Sequence, residues 1–167
     1  MQYSPTNIAR QFLFVREAGP NKGQRVEAIQ RWAGGQPGDS WCCELATMVL
    51  DICFQGAAPV PRLRACQDVY NMAKAKGWVL KDDQQPQKDD IYLFVNDADH
   101  AHHIGFVTDI PGNGISGNTS ADGTSSNGDR IAEHKINMAD RKHIKFIRYQ
   151  KPLMKADGYN YRTGKIY

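Results

Sequence analysis

The chain has 167 residues, of which 41% are hydrophobic and 23% charged, with a formal net charge of +3. This is the length and balance of one globular domain able to bury a core. The mild charge gives no ground for a nucleic-acid partner, and no apolar run reaches the roughly 20 residues of a membrane-spanning helix, so no membrane insertion is expected.

The opening stretch, MQYSPTNIARQFLFVREAG, lacks the basic, then apolar, then small-residue order of a signal peptide. The expectation is a protein made in the cytoplasm that reaches any target outside it by another route. Residues Thr6 to Ala18 place Ile8, Phe12, Phe14 and Val15 in a roughly helical pattern, broken by Gly-Pro-Asn-Lys-Gly at 19–23. A second short helix is predicted over Arg25 to Ala33, with Val26, Ile29 and Trp32 on one face. GGQPGDS at 34–40 is a loop whose Ser40 suits the N-cap of the next helix, predicted from Trp41 to Phe54. On that helix Cys42, Leu45, Ala46, Val49 and Cys53 share one stripe, so it belongs at the centre of the core. Leu63 to Lys76 is a further amphipathic helix, closed by Gly77.

From there the pattern becomes strand-like. IYLFV (91–95) suits a buried strand, HIGFVTDI (103–110) a second, GISGNTS (114–120) a Gly/Asn turn, and Arg130–Ile136 and His143–Tyr149 the closing strands. Helices followed by a meander of short strands imply an α+β fold with an antiparallel sheet. No repeat or linker divides residues 1–152, and 153–167 form a basic, aromatic tail. The positive surplus gathers at Arg141, Lys142, Lys145, Arg148, Lys151, Lys155, Arg162 and Lys165. It suits an anionic partner such as a cell-wall polymer, or simply a solvated edge and a loose tail.

The four cysteines, Cys42, Cys43, Cys53 and Cys66, show no CxxC pair and are expected to be reduced. Cys42 stands apart. It falls in the first turn of an apolar helix, where unpaired N–H groups and the helix dipole favour a thiolate and could receive an oxyanion. His103 opens a strand, a place from which an imidazole could face a helix-borne thiol. Asn118 in Gly-Asn-Thr could fix that imidazole's orientation. Each has an ordinary alternative: a packed core thiol, a histidine in a polar turn, a turn asparagine.

Taken together, GDSWCCELATMVL, PQKDDIYLFV, HIGFVTDI and ISGNTSADGTSSNGDRI resemble the motifs of CHAP domains, cysteine- and histidine-dependent amidohydrolase/peptidases of the NlpC/P60 superfamily. The resemblance runs from about Ile8 to Tyr149 and implies a papain-like fold with N-terminal helices packed on an antiparallel sheet. It implies Cys42 as nucleophile, His103 as base and Asn118 as the residue orienting it, with Ser116 the alternative third member, and Trp41 and Ser116 contacting substrate. Two positions depart from the family: Ser116 stands where many relatives carry glutamate, and Asp89 where they carry glycine before Asp90. The implied activity is hydrolysis of an amide in bacterial peptidoglycan, as an N-acetylmuramoyl-L-alanine amidase or a stem or cross-bridge endopeptidase. No cofactor and no metal are required, and a calcium loop is not expected at Asn21–Gly23. A monomer resembling phage lysis enzymes is expected, released to the wall with a holin.

Two rivals come from other classes. One is a cell-wall-binding module of CHAP-like fold that does not cut. The other is a zinc-dependent hydrolase using the DADHAHH cluster, His100 to His103 with Asp97 and Asp99.

Overall fold

Ser4 caps the first helix, α1 (Pro5–Arg10), by accepting a hydrogen bond from the Asn7 N–H, with proline where its missing donor does no harm. The helix stops well short of the expected Ala18. Beyond Arg10 the backbone tightens into turns, Gln11 bonding to Ile8, Phe12 to Ala9 and Leu13 to Arg10. Arg16 then bridges to Arg130 as strand does. Residues 11–14 are therefore a turn that leaves Phe14 exposed, and Val15 after it is buried.

The second helix, α2 (Gln24–Ala33), follows its predicted course and ends at Gly34, whose φ of 83° is the left-handed stop that glycine adopts without strain. The third, α3 (Cys42–Cys53), is buried continuously from Cys42 to Leu50. Ser40 does not cap it. Trp41 holds the N-cap position without a capping side-chain hydrogen bond, and the Ser40 hydroxyl accepts from Asn118. The fourth helix, α4 (Cys66–Ala75), begins three residues later than predicted.

Five strands follow: β1 (Ile91–Val95), β2 (Ala101–Val107), β3 (Asn113–Thr119), β4 (Arg130–Lys135) and β5 (Ile144–Ile147). They form one sheet in the order β4-β3-β2-β1-β5, antiparallel at every pairing. The protein is thus α+β, as expected. Alternation along the strands feeds two apolar clusters on opposite faces. Ile91 and Leu93 of β1 join Ile104, Phe106 and Ile115 in the cluster that holds α3. Tyr92 joins Val107, Ile144 and Phe146 in the other.

Most of the segment 114–120, predicted as a turn, belongs to strand β3 (Asn113–Thr119). Its glycines serve close approach, not reversal. A Cβ on Gly114 would lie 2.5 Å from the Tyr92 ring, and one on Gly117 2.6 Å from Leu45 and 2.7 Å from Trp41. Strand β3 can lie against the core only because those side chains are missing.

These are features of a computed structural model that describes residues 4–123, 125 and 127–150, together with the backbone of 159–160 and 165–166. The last four form a small antiparallel pair, β6 (Tyr159–Asn160) with β7 (Lys165–Ile166). The rest of the expected tail, including the side chains of Tyr159, Tyr161 and Tyr167 and of Lys151, Lys155, Arg162 and Lys165, lies outside the described residues. Among the described residues no helix is long and apolar enough to cross a membrane. Part of the basic surplus is already committed, since Lys142 pairs with Asp97 and Arg148 with Asp90.

Candidate active site

The first turn of α3 carries Cys42 to the point where that helix meets β2 and β3. Backbone N–H groups of a first turn have no acceptor within their own helix, and they give this end a partial positive charge. The nucleophile expected there is enclosed, with 3% of its surface exposed. A cavity of only about 10 Å³, lined by Cys42, Leu45, Gly105, Ser116 and Gly117 among others, adjoins it. That is room for one water at most.

Cys42 Sγ lies 3.7 Å from Cys66 Sγ and 3.9 Å from Ser40 Oγ. The Cys66 contact first, and burial second, push the Cys42 thiol well above its ordinary value of 9.0, against an opposing pull from the His103 imidazole. The resting sulfur is therefore a neutral thiol. The helix-start position alone suggested a thiolate; desolvation and a neighbouring thiol outweigh the dipole here. Cys66 is raised as well: its contact with Cys42 pulls it down, but Cys43 and burial together push it up further. The Cys43 sulfur also lies near the Leu63 carbonyl, to which it can donate.

His103 is completely buried in β2. Its ring stacks on Phe94, with centroids 5.4 Å apart, and its Nε2 lies 3.0 Å from Ser116 Oγ. Its Nδ1 is buried without a hydrogen-bond partner. Ser116 is thus the side chain that orients the imidazole. The same hydroxyl lies 3.1 Å from His134 Nε2, which is also 3.2 Å from the Tyr92 hydroxyl. At 3% exposure between two histidines, Ser116 is a link in a buried network rather than the substrate contact that the resemblance implied.

Asn118 is near the site but on its other side. Its amide donates to Ser40 Oγ at 2.8 Å, not to His103. It sits in a bulge of β3 with φ of 54°, a conformation that asparagine tolerates better than most residues. Asn118 therefore contacts Ser40 on the flank of Cys42, and it is Ser116, not Asn118, that lies within hydrogen-bond distance of the His103 ring. Trp41 has no exposed surface. Its indole N–H donates to Glu17 Oε1 at 2.8 Å and its ring packs on Gly117, so it anchors the helix start and has no face left for a substrate.

Nearby charges hold the preceding loop. Arg64 binds the carboxylates of Asp39 and Glu44. Glu44 is buried in the first turn of α3, and burial raises its pKa in spite of Arg64. Asp90, the aspartate expected before β1, accepts two hydrogen bonds from Arg148 and one from the Gln87 N–H. Asp89 has φ of 72°, a left-handed conformation that glycine adopts most readily, and its Oδ1 accepts from Ser4 Oγ and the Thr6 N–H.

The DADHAHH segment does not converge on a metal. His100 and His102 are exposed while His103 points inward. Asp97 is taken by Lys142 and His143, and Asp99 by Lys74 and Tyr70. Among the described residues, no group of three or more His, Cys, Asp or Glu side chains is placed to hold a metal ion.

His134 belongs to none of the motifs read from the sequence. There it is one polar residue in a short alternating strand, and only the register, which pairs Gly114 with His134 and Ser116 with Ala132, brings it behind Ser116. Comparison with family models, curated proteins and solved structures found no match.

Proposed function

We propose that this protein is a cysteine-dependent hydrolase of CHAP type, with the papain-like NlpC/P60 arrangement, that cleaves an amide of bacterial peptidoglycan. The observation that carries the reading is the pair formed by Cys42 at the start of α3 and His103, whose Nε2 is held by Ser116 and whose imidazole draws down the pKa of that thiol. A thiol at a helix N-terminus beside a strand-borne, oriented imidazole suits nucleophilic attack on an amide. The substrate rests on the motif resemblance.

In this mechanism the Cys42 proton passes to His103 Nδ1 as Sγ attacks the amide carbonyl carbon. First-turn N–H groups of α3 receive the oxyanion. His103 returns the proton to the leaving amine as the C–N bond breaks, giving a thioester. It then takes a proton from water, whose oxygen attacks the thioester and releases a carboxylic acid and the free thiol. Ser40, with one lone pair filled by the Asn118 amide, has its hydroxyl hydrogen free to face the Cys42 sulfur. The scissile bond is the muramoyl–L-alanine amide or a peptide bond of the stem or cross-bridge. Residues 1–152 form the catalytic unit, working as a monomer on the wall after release from the cytoplasm in a lysis programme.

The enclosure of both residues, 3% and 0% exposed, favours one second reading: a wall-binding module that retains the site without using it. Purified wild type and Cys42→Ala incubated with Gram-negative peptidoglycan, with and without EDTA, separate the two by mass spectrometry of soluble products. Release that requires Cys42 and ignores EDTA is expected, and fragment masses then identify the bond. Sedimentation of the protein with the wall but no new termini establishes the binding module instead.

A further inference from the structure

His134 lies on β4, outside every motif that pointed to the site, and is 4% exposed. Its Nδ1 is 3.1 Å from the Lys135 carbonyl oxygen. A carbonyl only accepts, so Nδ1 carries a hydrogen. Burial lowers the pKa of this ring and outweighs the contacts that raise it. A neutral ring with hydrogen on Nδ1 leaves Nε2 with one lone pair and nothing to donate.

Two hydroxyls converge on that lone pair, Ser116 at 3.1 Å and Tyr92 at 3.2 Å. A hydroxyl has a single hydrogen, so where Ser116 sends it decides what His103 meets. If Ser116 donates to His134, its oxygen presents only lone pairs to His103 Nε2, 3.0 Å away. His103 must then donate from Nε2, and in that tautomer Nδ1 is bare. If Tyr92 takes the His134 lone pair, Ser116 is free to turn its hydrogen to His103 Nε2, and the ring proton then sits on Nδ1. That second pattern buries an Nδ1–H with no oxygen or nitrogen to receive it. The first leaves Nδ1 a bare acceptor, unbonded in this structure, on the imidazole that draws down the pKa of the Cys42 thiol, and an unmet buried acceptor is tolerated better than an unmet buried N–H. Unsatisfied buried donors are costly, so the first pattern prevails.

We propose that His134, acting through Ser116, sets the tautomer of His103 and is the positioning residue that keeps Nδ1 free to accept the Cys42 proton. Its meaning for turnover rests on the thiol mechanism above; the tautomer assignment does not. His134 touches neither substrate nor nucleophile. Tyr92 is the competitor whose hydroxyl must yield.

The experiment is imidazole nitrogen NMR on the full chain labelled with ¹⁵N, which has five histidines, with His103→Gln assigning the His103 signals. Wild type is expected to show His103 protonated at Nε2 and His134 at Nδ1. In His134→Phe, the His103 proton moves to Nδ1 and turnover falls, by up to about 10⁴-fold, the loss that a wrong tautomer causes in a serine-protease triad. In Tyr92→Phe, His103 keeps its proton on Nε2. A His103 protonated at Nδ1 in the wild type overturns the proposal, as does an unchanged tautomer in folded His134→Phe. Should His134→Phe fail to fold, Tyr92→Phe decides, because a shift to Nδ1 there makes Tyr92 the controlling group. A wild type that is inactive on wall material yet shows these tautomers removes the hydrolase reading and leaves the positioning role in place.

Discussion

The sulfur atoms of Cys42 and Cys66 lie 3.7 Å apart, one at the start of α3 and the other at the start of α4. This contact is the largest cause holding Cys42 protonated. Cys66→Ala should therefore shift the pH profile of Cys42 alkylation by iodoacetamide toward lower pH. Every tenfold gain in thiolate at pH 7 corresponds to a profile displaced by about one pH unit. An unmoved profile would mean that burial alone sets the thiol.

The same groups predict how stability responds to base. The folded-state pKa values of Cys42 and Cys66 are raised, as are those of Tyr92 and Tyr149, whose phenols burial keeps neutral. A raised folded pKa gives stability that is whole below the unfolded value and lost as pH climbs toward the folded one. With unfolded values of about 8.5 for cysteine and 10 for tyrosine, the urea midpoint should begin to fall above about pH 8.5 and fall more steeply above about pH 10. Cys42→Ala should flatten the first part of that decline. A midpoint constant from about pH 8 to about pH 11 contradicts the assignment.

Asp89 combines a left-handed backbone with two hydrogen bonds that fasten α1 to the strand that follows. Glycine there relieves strain of about 1–2 kcal/mol but removes charge-assisted bonds of about 1.5–3 kcal/mol each. Asp89→Gly should thus lose about 1–5 kcal/mol in urea unfolding, and Asp89→Asn, which keeps an acceptor oxygen, less. A gain in stability for Asp89→Gly would show that the backbone strain dominates.

Gly117→Ala tests the junction of helix and sheet. Its Cβ would meet Leu45 at 2.6 Å and Trp41 at 2.7 Å, at the end of the helix that presents Cys42. The expected loss is about 1–3 kcal/mol, as for other overpacked cores, with turnover reduced more than a stability change of that size explains. Equal turnover per folded molecule would separate the packing of Trp41 from the placement of the thiol.

Much of this arrangement could be read in the amino acids themselves. The stripe Cys42, Leu45, Val49, Cys53 marks α3, and the IYLFV run marks β1 at its observed bounds. Strand β3 was hidden because Gly114 and Gly117 look like turn residues until Tyr92 and Trp41 are seen against them. The partners of His103 and Asn118 were exchanged for a similar reason. A bulge at 117–118 swings Asn118 to Ser40, and bulges leave little trace in composition. His134 depends on register across two strands, which local sequence does not encode.

The network that includes Cys42, His103, Ser116 and His134 draws on α3, β2, β3 and β4. A chain emerging from the ribosome holds its thiol early, its imidazole much later, and the histidine that disciplines that imidazole last of all. On the mechanism proposed above, the imidazole is not set for the sulfur until residue 134 has emerged and β4 has docked. A chain truncated before β4 would then carry the thiol and the imidazole without the buried histidine behind Ser116.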